Sequence, residues 1–243
     1  MKAEPKVLTY VVQDSLHPDQ KTGAVIKPIY QTSTYLQKEP GLTTGFDYSR
    51  ADNPTRESLE KALATLEHAS YGLAFSSGLA AEQAILQLLT PPCKVLVCDD
   101  VYGGTGRLFN SLFEKYGFHF HFIDMTNPNL VEDSITDEVK LIWIETPTNP
   151  TLKVIDIEEI AALAKKTKAT VVVDNTFSSP IFQSPLKLGA DIVVHSTTKY
   201  IGGHSDLIGG AIMTNNKALY EDLKFIQKST GPIPSPFECF LLT

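Results

Sequence analysis

Lys199 follows an apolar run and three hydroxyl residues, in the stretch Ser196-Thr197-Thr198-Lys199. That position predicts an amine at the rim of a desolvated crevice, where basicity falls and the neutral form can build an imine or take up a proton. A lysine in a polar loop is far more often a surface charge, so its neighbours decide. Asp174 ends the preceding apolar run, and parallel packing of the two runs would bring both residues to one crevice. Pyridoxal 5′-phosphate (PLP) requires such a pair: a lysine for its aldehyde, and a carboxylate that keeps its ring nitrogen protonated so that the ring draws off electrons. Taken alone, Asp174 serves equally well as the cap of a turn.

A phosphate needs a third element. Ser76-Ser77-Gly78-Leu79-Ala80 runs into an apolar helix, whose first turn offers unpaired N–H groups and a positive dipole end to an anion. A plain Ser/Gly helix start reads the same way. Ser196 and Thr198 can add hydroxyls to that phosphate. Tyr102, before Gly103-Gly104, can stack on a flat ring, with the glycines allowing close backbone approach; packing into the core is the alternative. His119 and His121 alternate with aromatic residues and read as structural rather than as metal ligands, so no metal is expected. His204, in Gly202-Gly203-His204, reads as a loop residue.

These groups need a scaffold that aligns strand ends. Apolar runs at 95–98, 120–123, 141–144, 171–173, 192–194 and 211–213 have the length and composition of buried strands. Helical spacing separates several of them: Leu59, Ala62, Leu63 and Leu66, then 79–89, 108–116, 157–166 and 219–227. The expected class is α/β, a mainly parallel sheet covered by helices. Polar and ionisable residues follow the strands, as in Asp99-Asp100, Glu145-Thr146-Pro147, Asp174-Asn175-Thr176 and Ser196 onward. Open α/β sheets bind their ligands at those ends. Residues 1–50 lack periodicity and read as an extended arm.

Composition narrows the partners. A formal net charge of -7 with acids and bases interspersed gives no nucleic-acid footprint and no polybasic membrane patch. The N-terminus has no apolar signal core, and no later run approaches a membrane span. Three scattered cysteines make no disulfide framework and suit a reducing compartment. A cytoplasmic protein acting on a small molecule is expected, without nucleic-acid or membrane partners.

Taken together, Tyr48-Ser49-Arg50, Asn53-Pro54-Thr55, Ser76-Ser77-Gly78, Asp99-Asp100-Val101-Tyr102-Gly103-Gly104-Thr105, Glu145-Thr146-Pro147-Thr148-Asn149-Pro150, Asp174-Asn175-Thr176 and Ser196-Thr197-Thr198-Lys199-Tyr200 closely resemble the Cys/Met-metabolism PLP enzymes. The order and spacing are far more specific than any single motif, and the resemblance runs the length of the chain. Members include cystathionine γ-lyase, β-lyase and γ-synthase and methionine γ-lyase, which serve transsulfuration and methionine and cysteine metabolism.

The resemblance implies a large PLP domain of aminotransferase-like fold over 51–243, an arm over 1–50 contacting a neighbouring subunit, and a homotetramer built as a dimer of dimers. It makes Lys199 the Schiff-base lysine and proton shuttle, Asp174 the partner of the pyridine nitrogen and Tyr102 the stacking ring. Ser77, Gly78, Leu79, Ser196 and Thr198 match the phosphate cup, with Thr176 near the ring. Tyr48 and Arg50 match residues that reach a cofactor on another subunit. Arg107 and Asn149 match positions near the substrate.

The sequence stops near where such enzymes enter a smaller C-terminal domain, so that domain, which supplies an arginine for the substrate's α-carboxylate, is expected to be absent. Cystathionine cleavage by γ- or β-elimination ranks first. Cystathionine γ-synthase, methionine γ-lyase and a catalytically incomplete PLP-binding fragment are the alternatives. A dinucleotide-binding oxidoreductase is disfavoured, because Gly104-Thr105-Gly106 has no third glycine three residues on.

Overall fold

The computed structural model of the chain describes residues 11–12, 18–19 and 21–243. The rest of the expected arm, residues 1–10, 13–17 and 20, lies outside the described residues. Seven strands form one sheet: β1 Tyr71–Phe75, β2 Cys93–Cys98, β3 Phe118–Ile123, β4 Val139–Glu145, β5 Thr170–Asp174, β6 Ile192–His195 and β7 Gly210–Thr214. Their order is β1-β7-β6-β5-β4-β2-β3. The pairs from β3 through β6 are parallel, and β7 is antiparallel to both β6 and β1. The mainly parallel sheet expected from the strand–helix alternation is present, and all six apolar runs are strands.

β1 is the strand that sequence reading missed. Tyr71-Gly72-Leu73-Ala74-Phe75 carries glycine and alanine, both poor strand formers. Packing explains the glycine: a Cβ on Gly72 would lie 2.4 Å from the Glu60 carbonyl oxygen of the crossing helix α1, Pro54–Leu66. That helix begins before Ser58 because Asn53 caps it, accepting from the Thr55 and Arg56 N–H groups, with Pro54 at its first position. Helix α2, Gly78–Leu86, is capped by Ser77, whose hydroxyl oxygen accepts from the Ala80 N–H.

Beyond residue 86, the α-helices are α3 Gly103–Arg107, α4 Pro128–Ser134, α5 Ile157–Ala164, α6 Ser179–Phe182, α7 Lys217–Thr230 and α8 Pro236–Leu241. Segment 108–116, expected as an α-helix, is instead a π-turn, Leu108–Phe113, followed by a 3₁₀ turn, Glu114–Tyr116. This winding puts Phe109 edge-on to Trp143, centroids 5.2 Å apart, and Phe113 edge-on to Phe118, also at 5.2 Å.

Strand alternation sorts the core into two faces. Leu141, Trp143, Val172 and Val194 pack with Ala81 and Ile85 of α2, whereas Ile142, Ile144 and Val173 pack with Ile157 and Ile160 of α5. The next residues of the first face are Glu145, Asp174 and Ser196, so the sheet aims all three toward the α2 side. Residues 21–50 form no helix or strand and contain two isolated bridges, Thr34 with Tyr48 and Glu39 with Leu42. Among the described residues no helix is long and apolar enough to cross a membrane.

Candidate active site

β4, β5 and β6 end side by side, with Glu145 in register with Asp174 and Asp174 with Val194. Asp174 is 8% exposed, and its Oδ1 accepts the Thr176 N–H at 2.9 Å. Among the described residues only Thr176 hydrogen-bonds this carboxylate, which leaves lone pairs for a further donor. Burial raises the carboxyl above its ordinary value, while the Thr176 hydrogen bonds and the charge of nearby His195 act the other way. The Thr176 hydroxyl oxygen accepts the Ser196 N–H at 2.8 Å, tying the ends of β5 and β6.

Ser196 in turn meets the start of α2. A Cβ on Gly78 would lie 2.9 Å from the Ser196 Cβ, so only glycine lets the helix come this close. Gly78 and Leu79 occupy the first turn, whose N–H groups have no acceptor within the helix. An anion cradle at this junction therefore combines backbone donors, the helix dipole and the Ser196 side chain.

Tyr102 stands at the start of α3, half-exposed, with its ring over Gly104; a Cβ there would lie 2.3 Å from a ring carbon. The glycine is needed for the ring. Arg107, exposed at the end of α3, bends back so that its guanidinium is 3.7 Å from where a Gly103 Cβ would stand. Asn149 is exposed on the loop after β4. Glu145 joins these parts: Oε2 accepts the Tyr102 N–H and Oε1 the Asn149 N–H, each at 2.8 Å.

Two expected placements differ, those of Lys199 and Thr198. Lys199 sits in the turn after β6, its N–H on the Ser196 carbonyl at 3.2 Å, but the side chain is exposed rather than set in a desolvated crevice. Phe177, edge-on to Tyr200, and Ile208 are likewise exposed. The Thr198 hydroxyl donates to the Gly209 carbonyl at 3.2 Å and accepts the Gly209 N–H at 3.0 Å, so its one donor is committed to the backbone. Arg50 lies 5.2 Å over the Tyr48 ring and donates to the Lys228 carbonyl at the end of α7. Among the described residues, neither Arg50 nor Tyr48 hydrogen-bonds the groups around Asp174.

The structure also brings in acids to which the sequence assigned no role. Glu82 of α2 is buried, with Oε1 accepting from the Thr105 hydroxyl at 3.1 Å and Oε2 without a hydrogen-bond partner among the described residues. Burial, and then the charge of Asp174, hold its carboxyl well above the usual range. The Glu145 carboxyl is pushed up to about 8, again by burial first and Asp174 second. On the other face, buried His195 lies with Nε2 2.5 Å from Glu67 Oε1, which also accepts from Asn175 Nδ2 at 2.7 Å. A lone acid inside the apolar helix around Leu79 was the available signal for Glu82.

A buried carboxylate with lone pairs to spare, a helix start pressed on a serine, a ring held over glycine and an open amine at the same end of the sheet fit PLP. A family profile described as Cys/Met metabolism PLP-dependent enzyme matches residues 8–243. A probable cystathionine gamma-synthase of Herpetosiphon aurantiacus is 51% identical, over 96% of this chain and 73% of its own length. A cystathionine beta-lyase of Coxiella burnetii is 48% identical, over 96% of this chain and 61% of its own. The crystal structure of cystathionine gamma-lyase from Lactobacillus plantarum, complexed with L-serine, superposes with a TM-score of 0.95 at 43% identity. It is matched over 98% of this chain and 62% of its own. Apart from the Herpetosiphon protein, the chain thus spans about three-fifths of these relatives.

Proposed function

The chain belongs to the Cys/Met metabolism PLP-dependent enzyme family, and from that premise we propose that it carries the cofactor site of a C–S lyase that cleaves cystathionine by γ- or β-elimination. The observation that supports this most is the alignment of Asp174 and Ser196 at adjacent parallel strand ends, on the face that meets the start of α2. Bound PLP supplies an aldehyde for an amino group and a ring that accepts the electrons released at the substrate's α-carbon. Lys199 holds that aldehyde through its amine and carries the proton taken from the α-carbon. Asp174 accepts a hydrogen bond from the ring nitrogen and favours its protonated form. The N–H groups of Gly78 and Leu79, with Ser77, Ser196 and Thr198, hold the phosphate; for Thr198 this means trading its donation to Gly209. Tyr102 covers the ring, Thr176 holds the Asp174 carboxylate in place, and Arg107 and Asn149 face the substrate.

Cystathionine γ-synthase is the second reading, since relatives named as a synthase and as a lyase each match 96% of the chain at similar identity. Product analysis separates them. The full-length protein given cystathionine is expected to yield 2-oxobutyrate with cysteine, or pyruvate with homocysteine. Neither pair, together with rapid joining of cysteine to an activated homoserine ester, moves the activity to the synthase.

The same reading makes the protein a cytoplasmic homo-oligomer, a dimer of dimers, whose arm over 1–50 completes a neighbour's site through Tyr48 and Arg50. The solvent-exposed Lys199, Phe177, Phe182 and Tyr200 support a subunit covering this end of the sheet. Free, buried Cys93, Cys98 and Cys239 are in keeping with a reducing compartment. Full-length Arg50→Ala and Lys199→Ala, each nearly inactive, are expected to regain a fraction of wild-type activity when mixed under conditions shown to exchange subunits. A hybrid dimer then holds one site with neither change. Confirmed exchange without recovery places Arg50 in its own chain's site.

A further inference from the structure

Glu145 is 5% exposed, and both of its carboxylate oxygens are taken by backbone N–H groups of two separate loops. One belongs to Tyr102 and the other to Asn149, at 2.8 Å each. The reverse contact comes from the strand end that leads to Tyr102. Asp100 Oδ2 accepts from the Thr148 hydroxyl at 2.6 Å, from the Thr151 N–H at 3.0 Å and from the Thr151 hydroxyl. Each loop thus lends an acid to the other, Glu145 inside and Asp100 at the rim. Elsewhere the Tyr102 carbonyl accepts the Gly106 N–H at 3.1 Å, but its side chain makes no cap to α3 and its ring rests on a glycine.

We propose that Glu145 is a positioning residue that sets Tyr102 and Asn149 at a fixed separation, so that the ring over the cofactor and the loop facing the substrate move as one unit. This rests on the functional reading above for what Tyr102 and Asn149 touch. Two N–H donors converge on one side chain and both need an acceptor, which the ionised carboxylate supplies; these two hydrogen bonds favour that form against burial and the Asp174 charge, which raise the carboxyl. Glutamine has the same length but one acceptor; its NH₂ would face the second N–H, donor against donor. Only one loop could then stay attached. Aspartate keeps both acceptors but draws them back by one methylene, so it restores the charge without the reach.

The test uses the full-length holoenzyme. Borohydride reduction of wild type first establishes whether Lys199 holds the cofactor; label elsewhere ends the functional reading and leaves the clasp to be judged on the other measurements. Glu145→Gln is expected to bind PLP in full amount while its visible circular dichroism per cofactor falls by about half or more. KM for cystathionine should rise about tenfold, the loss expected for one buried hydrogen bond left unmade. Glu145→Asp should fall between. Unchanged dichroism and KM in Glu145→Gln would overturn the proposal. If that variant does not fold, Asp100→Asn, at the rim of the clasp, takes its place: a smaller change of both readouts in the same direction supports the coupling, and no change in either overturns it.

Discussion

Lys199→Ala is expected to lower the turnover of the full-length enzyme by about 10⁴-fold, the upper end of what a positioned acid–base group contributes, and to abolish covalent attachment of the cofactor. Only one side chain is lost. The turn that carries it is held by backbone, the Lys199 N–H on the Ser196 carbonyl and the Gly203 N–H on the Lys199 carbonyl at 2.8 Å, and alanine keeps both. Nζ makes no hydrogen bond among the described residues, so its removal leaves no buried group unpaired, and the melting temperature should hold. PLP should still associate through the start of α2 and Asp174, but dialysis should remove it. After borohydride reduction, wild type should carry the pyridoxyl group on the peptide containing Lys199, and the variant should carry none. Equal labelling of the two proteins would show that another lysine holds the aldehyde and would remove the central assignment.

How far the sequence could be read depended on where the information is stored. Buried strands announce themselves through continuous Val, Ile and Leu, and β4, β5 and β6 were found for that reason. β1 was not, because Gly72 is chosen for a contact with Glu60 of α1, a tertiary demand with no local trace. The π-turn at Leu108–Phe113 likewise answers to the aromatic stack around Trp143, while the spacing of its apolar residues reads as an ordinary helix.

The same distinction holds in the site. That Asp174 and the residues following β6 lie side by side was legible from strand-end position, since parallel pairing forces neighbouring ends together. The exposure of Lys199 was not legible: desolvation depends on what covers a residue, and nothing next to Lys199 in the chain says what that is. The orientation of Thr198 turned on Gly209, eleven residues away. Glu145 stood inside a quoted motif without a role, because its two partners, Tyr102 and Asn149, come from loops 43 residues behind and 4 ahead of it. A carboxylate's work is visible only once its donors are in place.

Asp174→Asn is expected to keep the fold and lose most of the rate. The asparagine side-chain oxygen can still accept the Thr176 N–H now bonded at 2.9 Å, so the link between β5 and β6 through Thr176 and Ser196 survives. What goes is the negative charge. An opposite charge within a few ångströms shifts a titrating group by about 1–3 pKa units, and each unit is about 1.4 kcal/mol, or tenfold. Without it, the ring nitrogen of a bound cofactor is protonated less at neutral pH, and turnover should fall about 10- to 10³-fold with PLP content preserved. Parent-rate elimination with full cofactor occupancy would show that Asp174 is not the partner of that nitrogen. The apoprotein offers an independent reading. Burial raises the Asp174 carboxyl above its unfolded value, and the Glu145 carboxyl to about 8. A raised acid is most favourable to folding while protonated, so its contribution is present at low pH and is lost as pH rises through its folded value. The wild-type apoprotein should therefore lose stability between about pH 5 and pH 8. Asp174→Asn removes one of these titrations, and it eases those of Glu145 and Glu82, because the Asp174 charge is the second cause of each shift. Its melting temperature should consequently fall less steeply across that window. An equally steep fall would mean that the carboxylates at these strand ends do not share their charge.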